Sequence, residues 1–138
     1  MLNLEELYQE TILEHGQNPR NFGRIKKANY WAESFNPLCG DHYWIYLKIS
    51  KNMIKDISFE GEGCLISKAS ASLMTEIVKD KRIKEAEKTF RFFQQLVTGK
   101  QLKEKRLLAK LSAFARLYKF PMRIECALLP WQALRKKF

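Results

Sequence analysis

The stretch Tyr43-Trp44-Ile45-Tyr46-Leu47-Lys48-Ile49-Ser50-Lys51-Asn52-Met53-Ile54-Lys55-Asp56-Ile57-Ser58-Phe59-Glu60 decides the fold. From 43 to 50 the residues are β-branched or aromatic and alternate. Ile45, Leu47 and Ile49 share one face and Trp44, Tyr46 and Lys48 the other, the period of a strand with one side buried. Lys51-Asn52 supplies a turn, and 53–60 is predicted to return as the partner strand. A lone hairpin is rarely stable in water, so 30–35 is expected to add a third strand.

Beyond Gly61-Glu62-Gly63 the period changes from two to 3.6. Helices are predicted over 65–78, 83–97 (with Gly99 as its stop), 107–117 and 126–137, the last with a late start or a kink because of Pro130. Ahead of the strands, Leu4, Leu7, Tyr8 and Ile12 fall on one face of a helix over 4–14. Asn3 and Glu6 resemble a capping box there, and Gly16 and Asn18-Pro19 end the helix. Strands first and helices afterwards predict an α+β fold, a small antiparallel sheet of about three strands with helices packed on it. No repeat or low-complexity linker divides the chain, so a single domain over 1–138 is expected.

The 138 residues include 46% hydrophobic side chains, enough for one core without disulfides. No run of about 18 apolar residues is present, which argues against a spanning helix. The acidic start, Met1-Leu2-Asn3-Leu4-Glu5-Glu6, lacks the basic and apolar regions of a signal peptide, so a cytoplasmic location is expected. An odd count of three cysteines fits a reducing compartment, where thiols serve as ligands, nucleophiles or small hydrophobes rather than as a disulfide framework.

Those cysteines are Cys39, Cys64 and Cys126, and no C-x-x-C pair occurs. Spacing alone favours three buried cysteines acting as small hydrophobes. Their context points the other way. Cys39 lies in Asn36-Pro37-Leu38-Cys39-Gly40-Asp41, a turn that sets a thiol and a carboxylate two residues apart. Cys64 opens a helix, where the helix dipole stabilises a thiolate. Cys126 is read near the start of the last helix. His15 is read as a helix-end residue interacting with the dipole, and His42 as an exposed or structural histidine beside Asp41. The run Ser67, Ala69, Ser70, Ala71, Ser72 is read as a slim helix face made for close packing.

Four segments occur in order: Asn18-Pro19-Arg20-Asn21-Phe22-Gly23, Asn36-Pro37-Leu38-Cys39-Gly40-Asp41, Gly61-Glu62-Gly63-Cys64-Leu65-Ile66-Ser67-Lys68-Ala69-Ser70-Ala71-Ser72 and Arg123-Ile124-Glu125-Cys126-Ala127-Leu128-Leu129-Pro130-Trp131. Together they resemble the NifU N-terminal/IscU/SufU family of iron–sulfur cluster assembly proteins. The SufU branch fits better. The Leu-Pro-Pro-Val-Lys loop and the histidine before the last cysteine of IscU-like scaffolds are replaced by Phe120-Pro121-Met122-Arg123-Ile124 and Glu125, and 79–105 looks like the SufU-type helical insertion. Glu125, where relatives carry a basic residue, reads as a solvated acid rather than a further ligand.

The resemblance implies a zinc site of Cys39, Asp41, Cys64 and Cys126, a donor set suited to tetrahedral zinc. It also implies that Cys39 accepts persulfide sulfur from a SufS-type, PLP-dependent cysteine desulfurase and passes it towards downstream iron–sulfur assembly proteins. The alternative within the family is a scaffold that builds a transient [2Fe–2S] cluster on the same cysteines.

The formal charge is +10, which also raises a nucleic-acid-binding module as a reading from another class; no helix-turn-helix, RNP or zinc-finger pattern supports it. The charge is uneven. Residues 1–78 hold 8 basic and 10 acidic side chains, net −2, and residues 79–138 hold 17 and 5, net +12. That distribution reads as a basic helical surface for an acidic protein partner.

Overall fold

The computed structural model describes residues 9–100 and 111–138. The predicted helix over 4–14 is described only from Gln9 onward, as α1 (Glu10–Gln17); its Asn3–Glu6 capping box lies outside the described residues.

Three strands follow, β1 (Tyr30–Phe35), β2 (His42–Ser50) and β3 (Met53–Glu62), antiparallel in the order β1-β2-β3. Lys51 and Asn52 both take positive φ, 52° and 62°, the pairing that a tight hairpin turn demands. The β2–β3 register shifts between Lys48 and Ile49, a bulge that lets both Ile54 and Ile57 of β3 reach the core. Tyr43, Ile45 and Leu47 point inward with Phe59, all fully or almost fully buried. The outer edge of β3 is covered twice. Gly23 N–H donates to the Phe59 carbonyl and Phe59 N–H to the Asn21 carbonyl, while Ile54 pairs with Asp80 and Lys81. At the opposite edge, the Lys136 ammonium donates to the Glu33 carbonyl of β1, and Lys137 sits 3.1 Å above the Tyr30 ring.

Helices α2 (Leu65–Val78), α3 (Ile83–Val97) and α4 (Pro121–Arg135) complete the structure. Helix α2 is buried along most of its length and packs on α1, α4 and the sheet. Its serines do more than slim a face. Ser70 donates to the Ala127 carbonyl at 2.6 Å and accepts from the Trp131 indole at 3.0 Å. Ser72 meets His15 Nδ1 at 2.7 Å and the Arg20 N–H at 2.8 Å. His15 lies in the last turn of α1, as read from the sequence, and there makes a buried contact between α1 and α2.

Two predicted helices change. Over the described part of 107–117 the chain winds into 3₁₀ turns, Ser112–Phe114 and Leu117–Lys119. Three residues per turn stacks Leu111, Phe114 and Leu117 on one buried face. The last helix begins at Pro121, not Cys126, because proline at a first helical position gives up an N–H that has no intrahelical acceptor anyway. Pro130 is carried inside α4. It offers no N–H to the Cys126 carbonyl four residues back, while Ser70 and Ser34 supply hydroxyls to the neighbouring Ala127 and Leu129 carbonyls. Among the described residues no helix is long and apolar enough to cross a membrane.

Candidate metal centre

Three elements converge at one end of the sheet. The first is the β1–β2 turn. Leu38 N–H donates to Asn36 Oδ1, Gly40 N–H to the Asn36 carbonyl and Asn36 N–H to the Asp41 carbonyl, so the turn is closed at its base. Gly40 supplies the φ of 81° that a side chain would resist. This presents Cys39 to solvent while Asp41 is buried.

The second element is the start of α2. Cys64 is its N-cap, and its Sγ accepts the Ser67 N–H at 3.4 Å. Its own N–H donates to Asp41 Oδ2 at 3.3 Å, tying the second element to the first. The third is α4, which places Cys126 in its second turn, buried against α2.

Ligand atoms of Cys39, Asp41 and Cys126 all lie within 4.8 Å of one another. Cys64 is not part of that triad; its N–H joins it to the group through Asp41. Interaction with Cys126 is the main reason that the Cys64 thiol is held below its usual range, burial opposing and the Ser67 N–H assisting. Cys126 moves strongly up, first through the same interaction, then through burial and the negative charges of Cys64, Asp41 and Cys39. Thiols gathered beside a buried carboxylate form a pocket that favours positive charge, and three thiols with one carboxylate suit a tetrahedral soft-to-borderline ion such as zinc. An apolar cleft of about 460 Å³ opens beside Cys39 and Cys126, with Leu38 and Met122 exposed on its rim and Glu125 among its lining residues.

The histidines stand apart. His42 is on the other face of β2, 2.6 Å from Glu33 Oε2 and stacked 3.9 Å from Trp44, so it does not address the thiols. Glu125 is exposed. Two residues not expected at the site lie directly beneath the thiols. Tyr43 is fully buried with its hydroxyl 2.6 Å from Ser67 Oγ. Ser67 had a signal in the sequence, three residues beyond a helix-opening cysteine; Tyr43, in an alternating strand, reads as core.

Residues 7–127 match the NifU-like N terminal domain family. The zinc-dependent sulfurtransferase SufU of Bacillus subtilis (strain 168) is 40% identical over 134 residues, spanning 97% of this chain and 90% of that protein. The iron–sulfur cluster assembly scaffold protein IscU of Streptococcus pyogenes serotype M1 is 34% identical, over 96% and 83%. The crystal structure of FiSufU from the thermophile Fervidobacterium islandicum AW-1, described as an iron–sulfur cluster assembly scaffold protein for the SUF system, superposes with a TM-score of 0.89 at 31% identity, covering 97% of this chain and 98% of that one. Carrying the fold, the order of motifs and this similarity along nearly its full length, the chain belongs to the NifU-like N-terminal domain family, among the SufU- and IscU-type iron–sulfur cluster assembly proteins.

Proposed function

We propose that this chain is a zinc-dependent sulfur acceptor that takes persulfide sulfur from a PLP-dependent, SufS-type cysteine desulfurase and passes it towards iron–sulfur cluster assembly. The observation that carries the reading is the convergence of Cys39, Asp41 and Cys126, with Cys64 hydrogen-bonded to it. The Bacillus subtilis relative, a zinc-dependent sulfurtransferase by name, supports it. So does α3 within 79–105, the span read as a SufU-type insertion; residues 101–105 of that span lie outside the described residues.

Cys39, Asp41, Cys64 and Cys126 would hold the zinc, which would keep the thiols deprotonated and neutralise their charge. Cys39 is the acceptor because it alone of the three cysteines is exposed, at the tip of the β1–β2 turn. Its thiolate attacks the outer sulfur of the partner's cysteine persulfide. A new S–S bond forms on Cys39 as the partner's S–S bond breaks, and the partner's cysteine leaves as a thiolate. Asp41 and Cys126 stay behind in the buried wall, and the apolar cleft beside Cys39 gives the partner's loop room to enter.

The test pairs metal analysis of protein purified without reconstitution with a desulfurase assay using labelled cysteine. Tight zinc, faster cysteine turnover and label on Cys39 are expected. No stimulation and no label on the chain would sink the reading. The scaffold reading uses the same thiols, and a visible iron–sulfur chromophore in that preparation would favour it.

A further inference from the structure

We propose that Tyr43 and Ser67 are positioning residues, a buried hydroxyl pair that fixes Cys64 as the stationary anchor of the metal centre while Cys39 is left free to move. This rests on Cys64 being a metal ligand, as in the proposed function. The pair sits where β2 passes beneath the first turn of α2. Tyr43 and Ser67 are both fully buried and their oxygens are 2.6 Å apart. Ser67 touches Cys64 three ways: its N–H donates to Sγ at 3.4 Å, its hydroxyl donates to the Cys64 carbonyl at 3.0 Å, and its Oγ lies 3.7 Å from Sγ.

The hydrogen-bond directions follow from proton counting. Ser67 has one hydroxyl proton, given to the Cys64 carbonyl. Its lone pairs then accept from Tyr43 O–H and, in the thiol form, from Cys64 S–H. When Cys64 gives up its proton to become a ligand, nothing remains for Ser67 to accept on that side. The Ser67 hydroxyl can then turn its own proton to the sulfur, while Tyr43 still holds the remaining lone pair.

Space at this point is reserved for these groups. A Cβ on Gly63 would come within 2.4 Å of both Ser67 Oγ and Tyr43 Oη, and within 2.9 Å of Asp41 Cγ. Gly63 is thus the gap through which the tyrosine, the serine and the aspartate converge on Cys64. Cys39 has no comparable support among the described residues; its turn is closed by bonds among Asn36, Leu38, Gly40 and Asp41.

The experiment measures zinc transfer to a chelator, and the sulfur-to-cobalt absorption of the Co(II)-substituted protein, for wild type, Tyr43→Phe, Ser67→Ala and the double variant. Each single variant should release zinc about tenfold faster and shift the sulfur-to-cobalt band. The double variant should be no worse than Ser67→Ala, because Tyr43 acts through Ser67. Ser72→Ala, which removes another buried hydroxyl of α2 away from the thiols, should lower the melting temperature and leave zinc release unchanged. Release rates and bands matching wild type in both folded single variants, or fully additive effects in the double, would overturn the proposal. A wild type without any sulfur-to-cobalt band, or a Cys64→Ala protein whose band is undiminished, would overturn it together with the ligand assignment beneath it.

Discussion

Exposure falls steadily across the three cysteines, from Cys39 in solvent through half-buried Cys64 to buried Cys126, and the chemistry open to each follows that gradient. An exposed thiol on a glycine-flanked turn can be reached by a partner; a buried one can only hold. Cys39→Ala is therefore expected to abolish sulfur acceptance in a labelled-cysteine assay while changing the unfolding free energy of the metal-free protein by no more than about 0.5 kcal/mol. Asp41 has a double role, since it offers a carboxylate to the centre and accepts the Cys64 N–H. Asp41→Ala should weaken zinc retention about tenfold or more in a chelator competition, and unchanged retention would remove Asp41 from the centre. At this scale the candidate ligands were legible because cysteine and aspartate in a Pro/Gly turn carry their chemistry in their identity. Tyr43 was not: a tyrosine in an alternating strand reads as core, and only the fold brings its hydroxyl to Ser67, 24 residues on.

Elements set what the residues can do, and the junction between β3 and α2 is the least forgiving. Gly63→Ala is expected to cost about 1–3 kcal/mol, read by chemical denaturation, because three buried polar groups occupy the space of the new methyl. The α1–α2 contact offers a different readout. Burial is the main cause that lowers the His15 pKa below 6.5, with Arg20 adding to it and Glu76 and Glu14 opposing. The folded state thus takes up a proton later than the unfolded one as pH drops. Stability is fully present above 6.5, declines as pH falls below it, and stops declining once the folded His15 is itself protonated. His15→Gln should flatten that decline in denaturation curves taken between about pH 7.5 and pH 5; an equal slope in both proteins would rule His15 out. Strand and helix periods marked β2, β3, α2 and α3 in the sequence because each has a strong single repeat and a glycine or turn at its end. The start of α4 was hidden, because Phe120-Pro121 reads equally well as a break or as a first turn. Choosing between them depends on Cys126 packing against α2.

Across the whole molecule the turn that carries Cys39 and Asp41 and the start of α2 belong to the half with net charge −2, while the half with +12 supplies α3, α4 and the cleft residues Lys119 and Arg123. A partner approaching Cys39 therefore meets a basic border around an acidic centre. Desulfurase stimulation should fall as ionic strength rises from about 0.05 to 0.5 M, because exposed charges more than a Debye length apart are screened; a flat salt profile would argue for apolar docking alone. That charge division could be counted from the sequence, but its geometry could not, since α4 comes from the basic half and yet delivers Cys126 into the acidic one. The last basic residues have a separate effect. Lys136 and Lys137 close over β1, which among the described residues has no strand beyond its outer edge and which exposes Trp31 and Phe35. They act as a guard against templated strand addition: with both changed to alanine, β1 would present a bare, aromatic-rich ribbon, and colloidal shelf life would suffer before folding or sulfur chemistry did.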